Sequence, residues 1–264
     1  MWWVGDSLDV YIGARRAAVC AGDRLLHDDS LPQAPHGLQA LDALDAVDSL
    51  DAVAAFDVSS ALGKVSHWLG ALRARRRIRV WLGGSLCRPF LLQGLQALRS
   101  AAEVDAAAGA LARRAMDSTP SRFWLAPAQR GDAACLGAAA SEAVVSRMET
   151  ALAPLCRGRL RIAPWWGEGA RVLALARREA SGSVIVRDCD SLTLLAFAGD
   201  AFRCVRTAVS ADEGVLEASL QRWQLSLDLD TGRAMRLSLR PDPLAPAGAT
   251  GLRIALAPIV DLRR

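Results

Sequence analysis

A chain of 264 residues with 52% hydrophobic and 23% charged residues can bury a substantial core, so its composition excludes wholesale disorder. The net charge is only +4, and all but one of the 32 basic residues are arginine, a bias typical of GC-rich coding that gives no indication of nucleic-acid binding. Apolar runs are interrupted by Arg, Asp or Pro before the roughly 18 residues that a membrane helix needs, so we expect no transmembrane segment.

The first predicted feature is a β-meander, three short strands joined by tight turns. Apolar residues dominate 8–12, a turn follows at 13–16, and a second apolar strand covers 17–20. The pair Gly22–Asp23 then turns the chain into 24–26. Short apolar runs separated by Gly and charged residues are typical of antiparallel strands, so we predict a sheet here.

Residues 38–53 repeat an apolar residue followed by Asp and a small residue. The aspartates Asp42, Asp45, Asp48 and Asp51 are three positions apart. A period of three drifts around a helix by about 60° per triplet, so no single face persists. We interpret the run as a low-complexity segment with a solvated acidic face, because its spacing is not that of a calcium-binding loop.

A helix is predicted over 61–72, and arginines follow it at positions 73, 75, 76 and 77. Positive side chains at the carboxyl end of a helix complement its dipole. Two interpretations stay open: a solvated helix end, or a patch for anionic lipid or an acidic partner.

The remainder of the first half alternates strands with helices. Strands are predicted at 78–82, 87–92, 122–126, 133–137 and 160–164, and helices at 93–116 and 141–155. We expect 122–126 and 133–137 to pair. The apolar face of the 141–155 helix consists of Val144, Val145, Met148, Leu152 and Leu155.

The second half repeats the meander. Predicted strands lie at 183–187, 192–198, 201–206, 235–239 and 252–256, and predicted helices at 167–180 and 213–222. Both halves therefore contain three short strands that continue into helix and strand. We predict a duplication, with a first subdomain over 1–164 and a second over 165–264.

Several familiar kinds of catalytic site are excluded by the inventory of side chains. The six cysteines contain no C-x-x-C pair, and no two of the three histidines have the spacing of a helical metal pair. The only lysine, Lys64, lies outside any phosphate-loop motif, and the best match to a nucleophile elbow, 83–87, ends in Cys87 instead of glycine. We therefore predict reduced thiols, a cytoplasmic protein and no metal site.

Two tryptophan pairs stand out, Trp2–Trp3 and Trp165–Trp166. They are expected to pack in the core or at a subdomain seam. The alternative is a partner-binding groove at Trp165 and Trp166, since exposed tryptophan is enriched at binding surfaces.

The turns of the two meanders carry comparable motifs. In the first, Tyr11 lies two residues before Gly13, and in the second the turn Asp188-Cys189-Asp190 leads to the hydroxyl residue Thr193. This arrangement resembles the actin-like (ribonuclease-H-like) ATPase superfamily, and most closely the PilM/HofM proteins and the cytoplasmic domain of GspL in type IV pilus and type II secretion assembly. The resemblance implies an α/β fold of two related subdomains, each with a β-meander and helices.

In that superfamily each phosphate hairpin carries a D-x-G motif, which this chain matches incompletely. Tyr11 falls on the first aspartate, which in active relatives helps to hold Mg²⁺, and a phenol with a pKa of about 10 cannot take that role at neutral pH. Asp9 shares the strand face of Tyr11 but lies one pleat away. Asp188 matches the second aspartate, whereas Asp190 replaces the glycine and adds charge where backbone amides approach phosphate. The resemblance thus implies a degenerate nucleotide site.

The resulting hypothesis is a non-catalytic scaffold without a cofactor, located in the cytoplasm at the periphery of the inner membrane. Its expected partner is the cytoplasmic segment of an inner-membrane pilus or secretion assembly protein, or the assembly ATPase; nucleic acid is not expected. One alternative is an active ATP-dependent kinase or ATPase of the same superfamily, with ATP and Mg²⁺ as cofactors and Asp9 or Asp188 as catalytic acid. A second is an unrelated α/β binding module.

Overall fold

The computed structural model describes residues 7–13, 16–21, 24–30, 58–72, 76–117, 120–126, 133–165, 181–187, 191–198, 201–210, 212–226, 234–239 and 254–258. The predictions for the Asp-rich run, for the helix at 167–180, and for Trp166, Asp188 and Asp190 lie outside these residues.

The strands, in chain order, are β1 (Ser7–Ile12), β2 (Arg16–Ala21), β3 (Arg24–Ser30), β4 (Arg77–Leu82), β5 (Arg88–Gln93), β6 (Ser121–Leu125), β7 (Ala134–Ser141), β8 (Arg161–Pro164), β9 (Ser181–Arg187), β10 (Ser191–Ala198), β11 (Ala201–Val209), β12 (Ala234–Leu239) and β13 (Ile254–Pro258). The α-helices are α1 (Val58–Gly70), α2 (Ala101–Ala115), α3 (Glu142–Leu152) and α4 (Glu213–Ser226). Both predicted meanders are present, as β1–β3 and β9–β11.

Two five-stranded sheets share one strand order. The first runs β3-β2-β1-β4-β8 and the second β11-β10-β9-β12-β13. In each, the first strand of the meander pairs antiparallel with the second and parallel with the fourth strand of the sheet. The fifth strands differ, because β8 is parallel to β4 whereas β13 is antiparallel to β12. The α/β fold with two related meanders is thus confirmed, while the boundary at residue 164 stays a prediction.

A βαββ unit, consisting of β5, α2, β6 and β7, is inserted between β4 and α3. Its sheet has the order β5-β7-β6, so the predicted pairing of β6 with β7 is confirmed. The pairing of β5 with β7 was not predicted, because it joins segments that are distant in sequence. Phe90 packs directly over Gly137 at this pair, where any side chain would collide with its ring.

Two predicted helices are shorter than their sequence patterns. The segment 93–116 forms a helix only from Ala101, since Gly94 has a φ of 71° and a 3-10 turn covers Leu95–Ala97. Ser100 then caps α2 by accepting a hydrogen bond from the Glu103 amide. The 141–155 helix ends at Leu152, where a 3-10 turn that contains proline follows.

The apolar core is continuous from the first sheet to the second. The predicted face of α3 is confirmed, because Val145, Met148 and Leu152 are buried in a cluster that also holds most of β1 and β4. Val186, Leu195 and Phe202 of the second sheet belong to the same cluster. The opposite face of the second sheet packs its own cluster against Leu216 and Leu220 of α4.

The described cysteines are free thiols. Cys20, Cys87, Cys135 and Cys156 are buried and Cys204 is partly buried, and none of these five forms a disulfide. Over the described residues, no helix combines the length and the apolar character that crossing a membrane requires.

An ion-pair network joins the βαββ unit to α3. The Arg122 guanidinium on β6 donates to both carboxylate oxygens of Glu142, at 2.6 and 3.3 Å, and also to Glu149. The hydrogen bond from Arg122 lowers the pKa of Glu142, against an opposing effect of burial, and the bond to Glu142 likewise raises the pKa of Arg122. Charge thus fixes β6 against the helix that packs on the first sheet.

We predict that Glu142→Gln lowers the free energy of unfolding at pH 7 by about 0.2–1 kcal/mol, the range of exposed ion pairs. A carboxyl with a lowered pKa in the folded state stabilises fully above the pKa of an unfolded glutamate, about 4.3, and this stabilisation is lost as pH falls through the folded pKa. Urea unfolding at pH 7 and pH 3 measures the difference. The exposed Asp105→Asn on α2 is the control, and a Glu142→Gln effect that persisted at pH 3 would contradict the assignment.

Candidate functional site

The candidate site lies where the carboxyl ends of the parallel strands β1, β4 and β8 meet, the edge at which α/β sheets commonly bind ligands. Backbone hydrogen bonds hold these ends together: the Gly83 amide donates to the Ile12 carbonyl at 2.8 Å, and the Trp165 amide donates to the Leu82 carbonyl at 2.8 Å. Gly13 closes the first hairpin by donating to the Arg16 carbonyl at 2.9 Å. The first predicted motif therefore lies at this edge.

Tyr11 fills the space above the first turn. Its side chain is 2% exposed, and a Cβ added to Gly13 would lie 2.6 Å from the Tyr11 Oη and 3.1 Å from its Cζ. The glycine of this hairpin thus accommodates the phenol ring of Tyr11. The ring occupies the position next to the turn that, by the superfamily resemblance, belongs to a short carboxylate.

The turn after β4 meets the second sheet directly. A Cβ at Gly84 would collide with the Ser191 hydroxyl and would lie 3.6 Å from the Thr193 Oγ1. Ser191 and Thr193 are 1% and 2% exposed. The Thr193 hydroxyl is within hydrogen-bonding distance of the Thr207 hydroxyl on β11, at 2.9 Å. The predicted site residue Thr193 is therefore buried at the seam between the sheets, bonded across the strands.

Asp9, the alternative catalytic acid, is held by two side chains from β4. The Arg79 Nε and Nη2 donate to its two carboxylate oxygens at 2.6 and 3.0 Å, and the Trp81 indole N–H donates at 3.0 Å. The Arg79 guanidinium also lies 4.6 Å from the centre of the Trp81 ring, a cation–π contact. These bonds make Asp9 a structural anion between two neighbouring strands.

Trp165 lies in the core rather than on the surface. It is 7% exposed and packs edge-on against Trp81, with the ring centres 5.9 Å apart. Its indole N–H is buried without a hydrogen-bond acceptor in the part of the chain that the structure describes. Trp165 thus packs in the core, which is the first of the two interpretations given for the tryptophan pairs. The contact of Trp165 and Trp166 with a partner stays a prediction.

The structure brings together some of the predicted site residues and adds others. Tyr11 and Gly13 lie at the first turn and Thr193 lies at the seam, but Asp188 and Asp190 fall outside the described residues. Gly84 and Ser191 were missed as a contact, since nothing local in the sequence links them. The pairing of Asp9 with Arg79 follows from the parallel register of β1 and β4, which a correct strand alignment would have revealed.

Solved structures show which fold this is. A Bacteroides thetaiotaomicron protein described as having an actin-like ATPase fold and unknown function is similar with a TM-score of 0.58 at 8% identity, over 88% of this chain and 81% of that chain. This likeness establishes the actin-like fold that the sequence predicted.

Two further solved structures come from the assembly systems that the sequence resemblance names. The PilM–PilN type IV pilus biogenesis complex has a TM-score of 0.47 at 17% identity, over 85% of this chain and 66% of that chain. The cytoplasmic domain of EpsL, an inner-membrane component of the Vibrio cholerae type II secretion system, has a TM-score of 0.44 at 11% identity, over 98% and 88%. No family model matches the sequence, and no curated protein matches it.

We predict that Gly13→Ala destabilises the fold by about 1–3 kcal/mol, because the added methyl group overpacks against the buried Tyr11 ring. In a Tyr11→Leu background the same substitution is expected to cost less than about 0.5 kcal/mol, since the ring is gone. Urea unfolding of the four proteins gives this double-mutant cycle.

The control for this cycle is Gly63→Ala on α1, where an added Cβ has no neighbour within 4 Å. It should be neutral or stabilising by up to about 1 kcal/mol because alanine favours the helix. If Gly13→Ala cost the same in both backgrounds, the glycine would be required by the backbone and not by Tyr11.

Proposed function

We propose that this protein is a non-catalytic scaffold with an actin-like fold, which binds the cytoplasmic segment of an inner-membrane protein of a type IV pilus or type II secretion system, or the assembly ATPase. The observation that carries the proposal is the direct packing of the Gly84 turn against Ser191 and Thr193. Side chains occupy the seam between the two sheets, where a nucleotide would have to separate them.

The continuous apolar core supports the same interpretation, that the two sheets are packed together at the seam. Val186, Leu195 and Phe202 share one buried cluster with the first sheet, and exposing each such side chain costs about 1.5–3 kcal/mol. Opening the seam around a nucleotide would therefore oppose several kcal/mol of packing. A scaffold protein binds its partners on its surface, so its function would not require the two sheets to separate.

The superfamily resemblance implies an aspartate in the first hairpin, and this chain has Tyr11 at that position. This difference supports the absence of catalysis. A phenol with a pKa of about 10 offers no carboxylate for Mg²⁺ at neutral pH, and the nearby Asp9 carboxylate already accepts three hydrogen bonds from Arg79 and Trp81. The choice of partner follows from the resemblance of the two hairpins to PilM-like and GspL-like proteins. Association with the inner membrane would then occur through that partner.

We predict that the purified protein does not bind ATP with Mg²⁺ at concentrations up to about 1 mM, which corresponds to an affinity weaker than about −4 kcal/mol. Titration calorimetry with ATP and Mg²⁺ measures this directly. Asp188→Ala is the diagnostic variant and the exposed Asp105→Ala is its control. Micromolar, Mg²⁺-dependent binding that Asp188→Ala abolishes and Asp105→Ala retains would overturn the proposal in favour of an active kinase or ATPase.

The partner is tested separately by capture with the N-terminal cytoplasmic peptides of pilus and secretion inner-membrane proteins and with the assembly ATPase. Retention of one of these defined components on the immobilised protein is the expected result. Failure to retain any of them would contradict the assembly role while leaving the nucleotide result unaffected.

A further inference from the structure

A concentration of exposed positive charge lies at the amino end of β4 and β8, opposite the candidate site. Five arginines form it, and we call them the arginine patch: Arg77, Arg79, Arg157, Arg159 and Arg161. All five are exposed. The Arg157 amide donates to the Arg76 carbonyl at 2.7 Å, so the chain before β8 runs beside the start of β4.

The strand register determines how three of these side chains are arranged. Arg79 and Arg161 are direct neighbours on the parallel strands β4 and β8, so both project from one face of the sheet. Arg77 lies two residues before Arg79 and projects from that face as well. Neighbouring strands are about 4.8 Å apart and alternate residues about 6.6 Å apart, so these positions form a grid with the repeat of a β-strand.

Most of this positive charge has no counter-ion among the residues that the structure describes. Arg79 pairs with Asp9, but Arg77, Arg157, Arg159 and Arg161 form no ion pair with any residue that the structure describes. Like charges held this close repel one another, which costs stability unless a partner neutralises them. An anionic group bound to the patch would therefore relieve this repulsion.

Arg79 shows which kind of anion fits this surface. Its Nε and Nη2 hold the two oxygens of Asp9 as a fork, and the ring of Trp81 lies beneath the guanidinium. Arginine binds carboxylates in this planar, two-bonded manner better than lysine does. An equivalent carboxylate from outside could bind Arg77 or Arg161 in the same way.

The surroundings of the patch favour an extended peptide over a membrane or a nucleic acid. Within the described residues the large exposed apolar side chains are Val215 and Leu225, both on α4, so the patch has no apolar neighbour for insertion into lipid. Trp81 is 7% exposed beneath Arg79 and offers no free face for base stacking. An extended acidic peptide, by contrast, presents carboxylates on one side about 6.6 Å apart. Arg77 and Arg161 lie diagonally on neighbouring strands, about 8 Å apart, and their long side chains can span the difference.

We infer that the arginine patch is a docking site for an extended acidic peptide segment of a partner protein, with carboxylates at alternate positions bound by Arg77 and Arg161. The inference deepens the proposed function, because it gives the chemistry by which the scaffold would recognise a partner segment.

The test uses the whole protein and a fluorescein-labelled peptide of eight residues that alternates Glu with Thr. Fluorescence anisotropy should show saturable binding at low salt that weakens at least tenfold at 0.5 M NaCl, where charges are screened within about 4 Å. A peptide with Gln in place of Glu should not bind. A peptide with the same composition in which Glu-Glu and Thr-Thr pairs alternate should bind at least threefold more weakly, because no two of its carboxylates lie at alternate positions.

The protein variants test the residues. The combined Arg77→Gln and Arg161→Gln substitutions should weaken binding at least tenfold, whereas Arg113→Gln and Arg114→Gln together, which remove the same charge from the end of α2, should change it less than twofold. Circular dichroism and urea unfolding confirm that both proteins are folded. Equal losses in the two variants would show a non-specific charge effect and overturn the inference.

Two further outcomes distinguish the partners and separate this inference from the proposed function. Binding to vesicles that contain anionic phosphatidylglycerol, lost in the Arg77 and Arg161 variant while the peptide does not bind, would overturn the peptide site in favour of a lipid surface. ATP binding together with retained peptide binding would contradict the non-catalytic scaffold alone. Absence of peptide binding in a protein that also fails to bind ATP would contradict the docking site alone.

Discussion

The close approach of the Gly84 backbone to Ser191 and Thr193 determines how the two sheets of this protein meet. It brings the turn after β4 into van der Waals contact with the start of β10, and a side chain at position 84 would push the sheets apart. The buried cluster that joins Val186, Leu195 and Phe202 to β1 and β4 requires this distance. One small residue thus allows a single core to extend through both sheets.

The first sheet has two chemically different ends. At the carboxyl ends of its parallel strands, Ile12, Gly83 and Trp165 are tied together by backbone hydrogen bonds and the adjoining side chains are buried. At the amino ends, arginines from β4 and from the chain before β8 reach solvent. The first of these ends is packed, whereas the second carries exposed positive charge.

The pair formed by Asp9 and Arg79 connects these two ends. Asp9 is fixed by Arg79 and by the indole of Trp81, and Trp81 in turn packs against Trp165 at the carboxyl end. The orientation of Arg79 on the surface is therefore set by groups that reach into the core. A charged surface with one such anchored member is more rigid than a set of free side chains, and it loses less conformational entropy when a partner binds.

Strand alternation and turn residues predicted the strands well, because both are local properties of the chain. The two meanders, the pairing of β6 with β7 and the apolar face of α3 all follow from spacing within about a dozen residues. The contacts between side chains that are distant in sequence do not. Asp9 and Arg79 are 70 residues apart, and Arg122 reaches Glu142 and Glu149 across 20 and 27 residues. Such pairs depend on register between distant strands, and no local pattern encodes it.

The burial of Tyr11 over Gly13 limits which residues the first turn can accept. A single change of Tyr11 to aspartate would leave a cavity and place a charge inside the core, each of which costs several kcal/mol. An acid at this position would therefore require compensating changes at neighbouring positions at the same time. The surface of the protein, in contrast, can change one residue at a time without such a cost.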